Sequence, residues 1–527
     1  MKAFSELLDR LVYMPSRNGK LRLMAEYFAA TPDPDRGWAL AALTGELKLS
    51  FPMRRIVREL MAERADPELF RLSRDYVGDT AETVALMWPE PETPQAAPRL
   101  GEIVAALDGA DTATAQRYLE ATLDRLDASG RWALLKLVTG ALRVGVSARL
   151  AKVGVAAFGK VDPAEIEELW HGLEPPYTAL FAWLEGGAKP RIDDLPVFRP
   201  LMLAHPLEDD EIEALEAEAF LAEWKWDGIR VQIAAKPPDV RLYSRTGDEI
   251  SGSFPDIVAP FDAEAVLDGE LLVVRERRVA PFNDLQQRLN RKTVSKTMLA
   301  ELPAHVRLYD ILFEGGEDLR PLPFADRRAR LEAWHARVAP PRTDVSELVP
   351  FASLDDLARL RAAAREAGIE GLMLKRRESP YLAGRPKGHW YKWKRAPLTV
   401  DAVLMYAQRG SGKRSSYYSD YTFGTWRREG AGEPELVPVG KAYFGFTDEE
   451  LVQLDRWVRN HTTDRFGPVR AVEPELVLEV AFDAVHPSRR HKSGVAMRFP
   501  RIHRIRWDKP AAEADRLETL LAMIDAP

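Results

Sequence analysis

The hydrophobic period of this chain changes once, and that change limits the fold more than any other feature. Up to about residue 190 the apolar residues fall at helical spacing, as in Leu7, Leu8, Leu11 and Val12, and again in Leu134, Leu135, Val138, Leu142 and Val146. The run AETVALMW stops at the prolines of PEPETPQAAP (89–98), a loop or short linker. A Pro- and Gly-rich stretch at 186–207 marks a boundary, and the acidic segment EDDEIEALEAEA (208–219) reads as a solvated helix. Beyond it come short segments, several of period two: AEWKWDGIRVQIAA, VRLYSRTG, AVLDGELLVVRE, VRLYDILF, EGLMLKR and WYKWKR. A second β-rich series after Pro397 runs to about residue 507, the size of a small barrel such as an OB fold, and AEADRLETLLAMID closes the chain as a helix. The expected architecture is multidomain, α and α+β: helices over 1–195, antiparallel sheets with helices over 196–396, and an OB-fold β-barrel over 397–527. A length of 527 residues leads one to expect about three or four domains.

Composition removes several classes of function. There is no cysteine, so disulfides, thiol nucleophiles and Cys-type zinc sites are excluded. The first twenty residues hold no uninterrupted apolar stretch, and no run of 18 apolar residues occurs, so neither a signal peptide nor a membrane span is expected. The expected location is cytoplasmic.

The net charge of −7 conceals three basic windows. Residues 131–160 carry six bases and no acid; residues 372–396 and 485–509 carry eight bases and one acid each. A single such window is ordinary solvated surface. Three, interleaved with Trp and Tyr, favour a polyanion partner. Gly140 and Gly145 lie within the first window, suiting either a packing turn between helices or helix N-termini that offer amides to phosphates.

The chemistry concentrates in Glu223-Trp224-Lys225-Trp226-Asp227-Gly228-Ile229-Arg230. A lysine at a strand end, flanked by apolar rings and near cations such as Arg230, Lys392 or Lys394, suits an amine nucleophile. Leu267-Asp268-Gly269-Glu270-Leu271 sets a carboxylate after what reads as a tight Gly turn, and Glu370 stands before Gly371. Each acid alone is an ordinary turn residue. Two acids with several bases suit a ribose, a triphosphate and a divalent cation, and hard oxygen ligands select Mg²⁺, with Mn²⁺ also accommodated. Tyr309 offers a flat face to a base, and Lys392 and Lys394 would share one face of a strand. Gly410-Ser411-Gly412-Lys413-Arg414 lacks phosphate-loop spacing and reads as a basic turn. His486 and His491, without partners at metal spacing, read as surface or nucleic-acid-facing.

Lys225-x-Asp227-Gly228, Ser244-Arg245-Thr246-Gly247, Asp268-Gly269-Glu270, Tyr309-Asp310, Glu370-Gly371, Lys392-x-Lys394 and Arg498-Phe499-Pro500-Arg501 follow one another in the order of the covalent nucleotidyltransferase motifs. The set resembles an ATP-dependent DNA ligase of the three-domain bacterial type, and the helical segment LVTGALRVGVS resembles that family's DNA-binding domain. The resemblance implies a DNA-binding domain over 1–195, an adenylation domain over 196–396 and an OB-fold domain over 397–527. It implies that Lys225 attacks the ATP α-phosphate and carries AMP, with Glu223 by the adenine and Tyr309 stacked on it. Arg230, Arg245 and Glu270 would contact ribose or phosphate, Glu270 and Glu370 the metal, and Lys392 and Lys394 the α-phosphate. Arg385 would be a further nucleotide contact. Arg498, Arg501, Arg506, Asp508 and Lys509 match the last motif, expected to orient the pyrophosphate, with the barrel swinging between steps. The partner implied is nicked double-stranded DNA, met by a monomer.

Other readings fit less well. A capping guanylyltransferase would not need the helical third, and zero Cys disfavours an NAD-dependent ligase. An RNA ligase differs by a 2′-hydroxyl preference that sequence does not display. A DNA-binding scaffold would not need Lys225, Glu270 and Lys392 intact.

Overall fold

A computed structural model describes residues 1–49, 51–90, 96–140, 142–192, 196–208, 211–289, 291, 293–364, 369–409, 417–427 and 434–524. Part of the 89–98 linker and the whole of the basic turn 410–414 lie outside these residues. Among the described residues, twelve α-helices fill the stretch from Lys2 to Leu184. Their starts follow from capping: Ser16, Asp66, Asp79, Asp111, Asp127, Ser147 and Asp162 each accept a backbone N–H from the first turn of the helix they precede. The apolar faces meet in one core around Leu8, Phe28, Leu40, Ile103, Leu134 and Phe181.

Two expectations about local structure are corrected. The periodicity across 134–146 does not belong to one helix. Ala128–Thr139 ends at Gly140, whose φ of 68° is left-handed, and the next helix begins at Ala148. Leu142 and Val146 lie in the connection. The acidic segment forms two 3₁₀ turns, Ile212–Ala214 and Ala217–Ala219, in place of a helix. Ile212 and Leu215 are its only large apolar groups, too few for the apolar stripe that holds a short helix in place.

The chain divides into two compact units. The first holds Met1–His205, Gly228–Ser346 and Lys375–Trp390. Besides the helical region it contains a seven-stranded sheet, ordered Asp239–Ser244, Ile229–Lys236, Ala265–Arg275, Ala304–Glu314, Glu317–Asp318, with Arg278–Val279 and Thr343–Val345 at its margins. All pairings are antiparallel except that of Thr343–Val345. Gly269 is not in a turn. It lies inside Ala265–Arg275, where a Cβ would come within 2.6 Å of Val306 and 2.9 Å of the Arg307 carbonyl. The glycine lets two strands approach at an irregularity in their register.

The second unit holds Pro206–Asp227, Glu347–Leu374 and Tyr391–Pro527. One sheet lies mostly within it, ordered His205–Pro206, Trp390–Lys394, Gly371–Arg376, Phe220–Lys225, Leu348–Val349. Its second is an antiparallel half-barrel of seven strands. Leu398–Arg409 is central and pairs with Tyr418–Arg427, Val469–Val472 and Val477–Phe482, which in turn pairs with Arg501–Arg506. Its core is Leu404, Tyr421, Phe423, Leu454, Leu478 and Phe482, and the helix Leu517–Ile524 packs on it through Leu517 and Leu520. No helix among the described residues is long and apolar enough to cross a membrane.

Candidate active site

Lys225 is the last residue of the strand Phe220–Lys225. The backbone N–H of Glu370 donates to the Lys225 carbonyl at 2.9 Å, which brings the Glu370 side chain back onto the lysine, and the Lys225 ammonium donates to its carboxylate. Lys394 closes from the neighbouring strand, its Nζ 3.7 Å from Glu370 and 3.2 Å from Asp483. Gly371 permits this approach: its φ is +144°, and a Cβ there would sit 2.3 Å from the Trp393 carbonyl. Arg501 lies 3.1 Å from Asp483, and Arg498 pairs with Asp227. Lys225, Glu370, Lys394, Asp483 and Arg501 therefore form one alternating charge ladder, with the Arg498–Asp227 pair beside it.

Burial alone would raise the Glu370 carboxyl, but Lys225, Lys394 and Arg498 together hold it below its ordinary value. Asp483 behaves alike: burial opposes ionisation, and Lys394 and Arg501 more than offset it. The cleft among Asp227, Glu370, Lys394, Asp483 and Arg498 has a volume of about 40 Å³.

The first unit carries a second cluster. Arg230 and Glu270 stand opposite each other on paired strands. The Arg230 guanidinium donates to Asp268 at 2.7 Å and to the Met202 carbonyl at 2.6 Å. The Tyr381 hydroxyl donates to the same Asp268 carboxylate at 2.5 Å. Tyr309 lies near this node, with the Arg230 guanidinium 5.7 Å from its ring centre. Burial pushes the Tyr309 and Tyr381 hydroxyls well above the usual phenol range, so both are neutral. Beneath Tyr309, Asp310 and Arg327 make a fully buried bidentate pair, both bonds 2.9 Å.

The predicted residues distribute as follows. Lys225, Glu370, Lys394, Arg498 and Arg501 gather in one cluster; Arg230 and Tyr309 gather in the other, Glu270 beside Arg230 on the next strand. Glu223 is buried two residues before Lys225 on the same strand, and Lys392 is half-buried on the strand of Lys394. Arg245 is exposed at the tip of the S-R-T-G turn, and Arg385 is exposed with its carbonyl 3.2 Å from His205. Lys509 does not join the lysine cluster: it donates to Asp401 at 2.7 Å, and Arg506 pairs with Asp401 and Asp508. Asp483, Tyr381 and Lys375 were not singled out by sequence. Nothing near Asp483 or Tyr381 signals a role, since their partners are more than a hundred residues away or on another strand.

The basic windows also resolve unevenly. In 131–160, Arg131 is fully buried and donates to the carbonyls of Leu123, Trp88 and Pro89, Lys136 pairs with Asp79, and Lys152 pairs with Glu167. Only Arg143, Arg149 and Lys160 of that window remain as candidates for phosphate. Sequence missed a groove of about 760 Å³ lined by Arg54, Arg58, Arg71, Arg74 and Arg143, contributed by separate segments of the chain. Among the described residues, His461, Glu473 and Glu475 are the one trio whose ligand atoms lie within 4.8 Å of each other; it sits on the half-barrel, and both glutamates are exposed.

A strand-end lysine held by a carboxylate and flanked by cations is an arrangement that suits an amine nucleophile. A probable DNA ligase of Koribacter versatilis (strain Ellin345) is 37% identical over 444 residues, covering 79% of this chain and 75% of that protein. DNA ligase 1 of Korarchaeum cryptofilum (strain OPF8) is 29% identical over 538 residues, covering 98% and 97%. The solved structure named Pmar-Lig_PreS3 shares the fold, with a TM-score of 0.61 at 18% identity over 95% of this chain and 99% of that one. The ATP dependent DNA ligase domain matches residues 201–394, and the ATP dependent DNA ligase C terminal region matches 414–509. The chain belongs to the ATP-dependent DNA ligase family.

Proposed function

We propose that this enzyme seals nicks in duplex DNA by three transfers. AMP passes from ATP to Lys225, then to the 5′-phosphate at the nick, and leaves when the 3′-hydroxyl attacks. The observation that carries this reading is the Lys225–Glu370–Lys394 cluster. The attacking amine must be neutral. Glu370, in direct contact with Nζ, is the nearest acceptor for its proton. Lys392 and Lys394 hold the α-phosphate, and Arg498 and Arg501 trade their carboxylate partners for the pyrophosphate. Arg498 and Asp483 already pair with Asp227 and Lys394 beside Lys225, which supports withdrawal of the half-barrel before ATP enters. Lys509, held by Asp401, reaches phosphate only if that pair opens.

Glu223, Arg230, Arg245, Glu270, Tyr309 and Arg385 bind the nucleotide, with Tyr309 against the adenine. Glu270 and Glu370 each offer hard oxygen donors of the kind Mg²⁺ takes, and Mg²⁺ held by either would neutralise charge on the phosphates. Residues 1–195 bind DNA, 196–396 carry adenylation and 397–527 form the OB-fold domain. The enzyme acts as a monomer in the cytoplasm, in repair, replication or recombination.

The test is sealing of a duplex carrying one labelled nick, with ATP and Mg²⁺. The wild type should join the strands, and Lys225→Ala should bind the nick without joining it. Joining by Lys225→Ala at the wild-type rate would refute the assignment.

A further inference from the structure

The half-barrel carries a group of metal-ligating side chains that the chemistry above does not use. His461 follows the helix Asp448–Asn460, and Glu473 and Glu475 lie in the turn between the strands Val469–Val472 and Val477–Phe482. One ligand atom from each lies within 4.8 Å of the other two. The backbone brings them together. The Glu473 N–H donates to the His461 carbonyl at 2.9 Å, and the Glu475 N–H donates to the Glu473 carbonyl at 2.8 Å across Pro474. Val472 and Leu476, both buried, anchor the turn on either side. The proline fixes φ between the two glutamates, so they project from a stiff frame.

Two observations set this group apart from ordinary surface acids. The first is the imidazole. Its Nδ1–H donates to the Trp457 carbonyl at 2.8 Å, and its ring stacks on the Trp457 indole, with centroids 4.3 Å apart and planes 8° from parallel. A carbonyl only accepts, so Nδ1 carries the hydrogen and Nε2 keeps the lone pair. A histidine oriented in this way by a backbone carbonyl is the usual state of a metal ligand. Capping of the helix end accounts for Nδ1 and leaves Nε2 without a use. The second is the acids. Elsewhere on the half-barrel Asp401 pairs with Lys509, Asp455 with Arg459 and Asp483 with Arg501. Among the described residues, no lysine or arginine pairs with Glu473 or Glu475. Two carboxylates held this close repel each other unless a cation joins them.

We propose that His461, Glu473 and Glu475 bind one divalent cation of the Zn²⁺ class, which clips the end of the helix Asp448–Asn460 to the half-barrel sheet. One imidazole nitrogen and two carboxylates suit Zn²⁺, with water in the fourth position, whereas Mg²⁺ takes oxygen ligands and keeps its own waters. Bonds of about 2.1 Å set the ligands of a tetrahedral ion about 3.4 Å apart. Both glutamates are exposed, and rotation of their side chains closes the difference. Bridging residues 461 and 473, the ion closes the base of the hairpin formed by Thr462–Phe466 and Val469–Val472. Its role is structural and separate from the transfer to Lys225.

The test uses the full chain, freed of metal with EDTA and dialysed against Zn²⁺ in excess Mg²⁺, so that sites built for phosphate-bound Mg²⁺ are already filled. The wild type should retain one Zn²⁺ per chain and unfold at a higher temperature with Zn²⁺ than without it. The Glu473→Gln, Glu475→Gln double variant, altered only at exposed positions, should bind Zn²⁺ at least about 10-fold more weakly and lose the thermal shift, with Lys225 adduct formation unchanged. His461→Phe, which keeps a ring against Trp457, should behave like the double variant. Co²⁺ in place of Zn²⁺ should quench the fluorescence of Trp457, read as the difference between wild type and Trp457→Phe. No Zn²⁺ retained in excess Mg²⁺, equal retention by the double variant, or Co²⁺ quenching that is the same in Trp457→Phe would each overturn the proposal.

Discussion

Asp268→Asn tests whether the carboxylate behind the Arg230–Tyr309 cluster holds Arg230 in place. Asp268 is fully buried and takes bonds from Arg230 at 2.7 Å, Tyr381 at 2.5 Å and Gln232 at 3.4 Å. Asparagine keeps the shape and can still accept from Tyr381. It removes the charge that balances a guanidinium whose side chain is only 15% exposed. Breaking a buried pair from one side costs about 3–5 kcal/mol. Arg230 keeps its bond to the Met202 carbonyl, which puts the expected loss near the lower end, about 3 kcal/mol. With a urea slope of about 3 kcal/mol per M, the unfolding midpoint should fall by about 1 M at unchanged slope. Tyr381→Phe, which leaves the ion pair intact, should cost only about 1–2 kcal/mol. A midpoint shift below about 0.3 M for Asp268→Asn, at the same slope, would show that the charge is not needed, and would refute the ion-pair account of this node.

Burial lowers the His171 pKa to about 4, where the ring packs 4.8 Å from Phe198. The unfolded chain binds the proton first, so stability is full above about pH 6.5 and falls as pH drops toward 4, by up to about 3 kcal/mol. Urea midpoints at pH 7.5 and 5 should differ less in His171→Phe than in the wild type. An Arg54→Ala, Arg58→Ala double variant should lower the slope of log affinity for DNA against log salt by about 1–2, with Lys225 adduct formation unchanged. An unaltered slope would remove the groove from the DNA-binding surface. Asp483→Asn should release Lys394 and Arg501 and lower KM for ATP in adduct formation; an increased KM would mean that Asp483 aligns these cations and does not compete for them.

The sequence was most legible where chemistry is local. Alternation marks the strands that end at Lys225 and Lys394, but that these two meet Glu370, 145 residues from Lys225, was within reach only through the family resemblance. Their internal partners were not. Asp483 meets Lys394 across 89 residues, and Tyr381 meets Asp268 across 113. Sequence pattern carries no sign of such pairings. Gly269 shows the opposite failure: a glycine that resembled a turn serves close strand packing, a contact that exists only once the strand 304–314 lies beside it. Basic windows misled for a related reason. Counting charge along the chain includes Arg131, which folding buries, and omits a groove whose arginines come from separate segments.

The account rests on Lys225 as the group that carries AMP. Intact-protein mass spectrometry after incubation with ATP, GTP or NAD and Mg²⁺ tests this most directly. It should show one AMP adduct with ATP only, absent in Lys225→Ala and lost when nicked duplex is added. An adduct that persists in Lys225→Ala, or none from any nucleotide in protein freed of bound AMP, would contradict it.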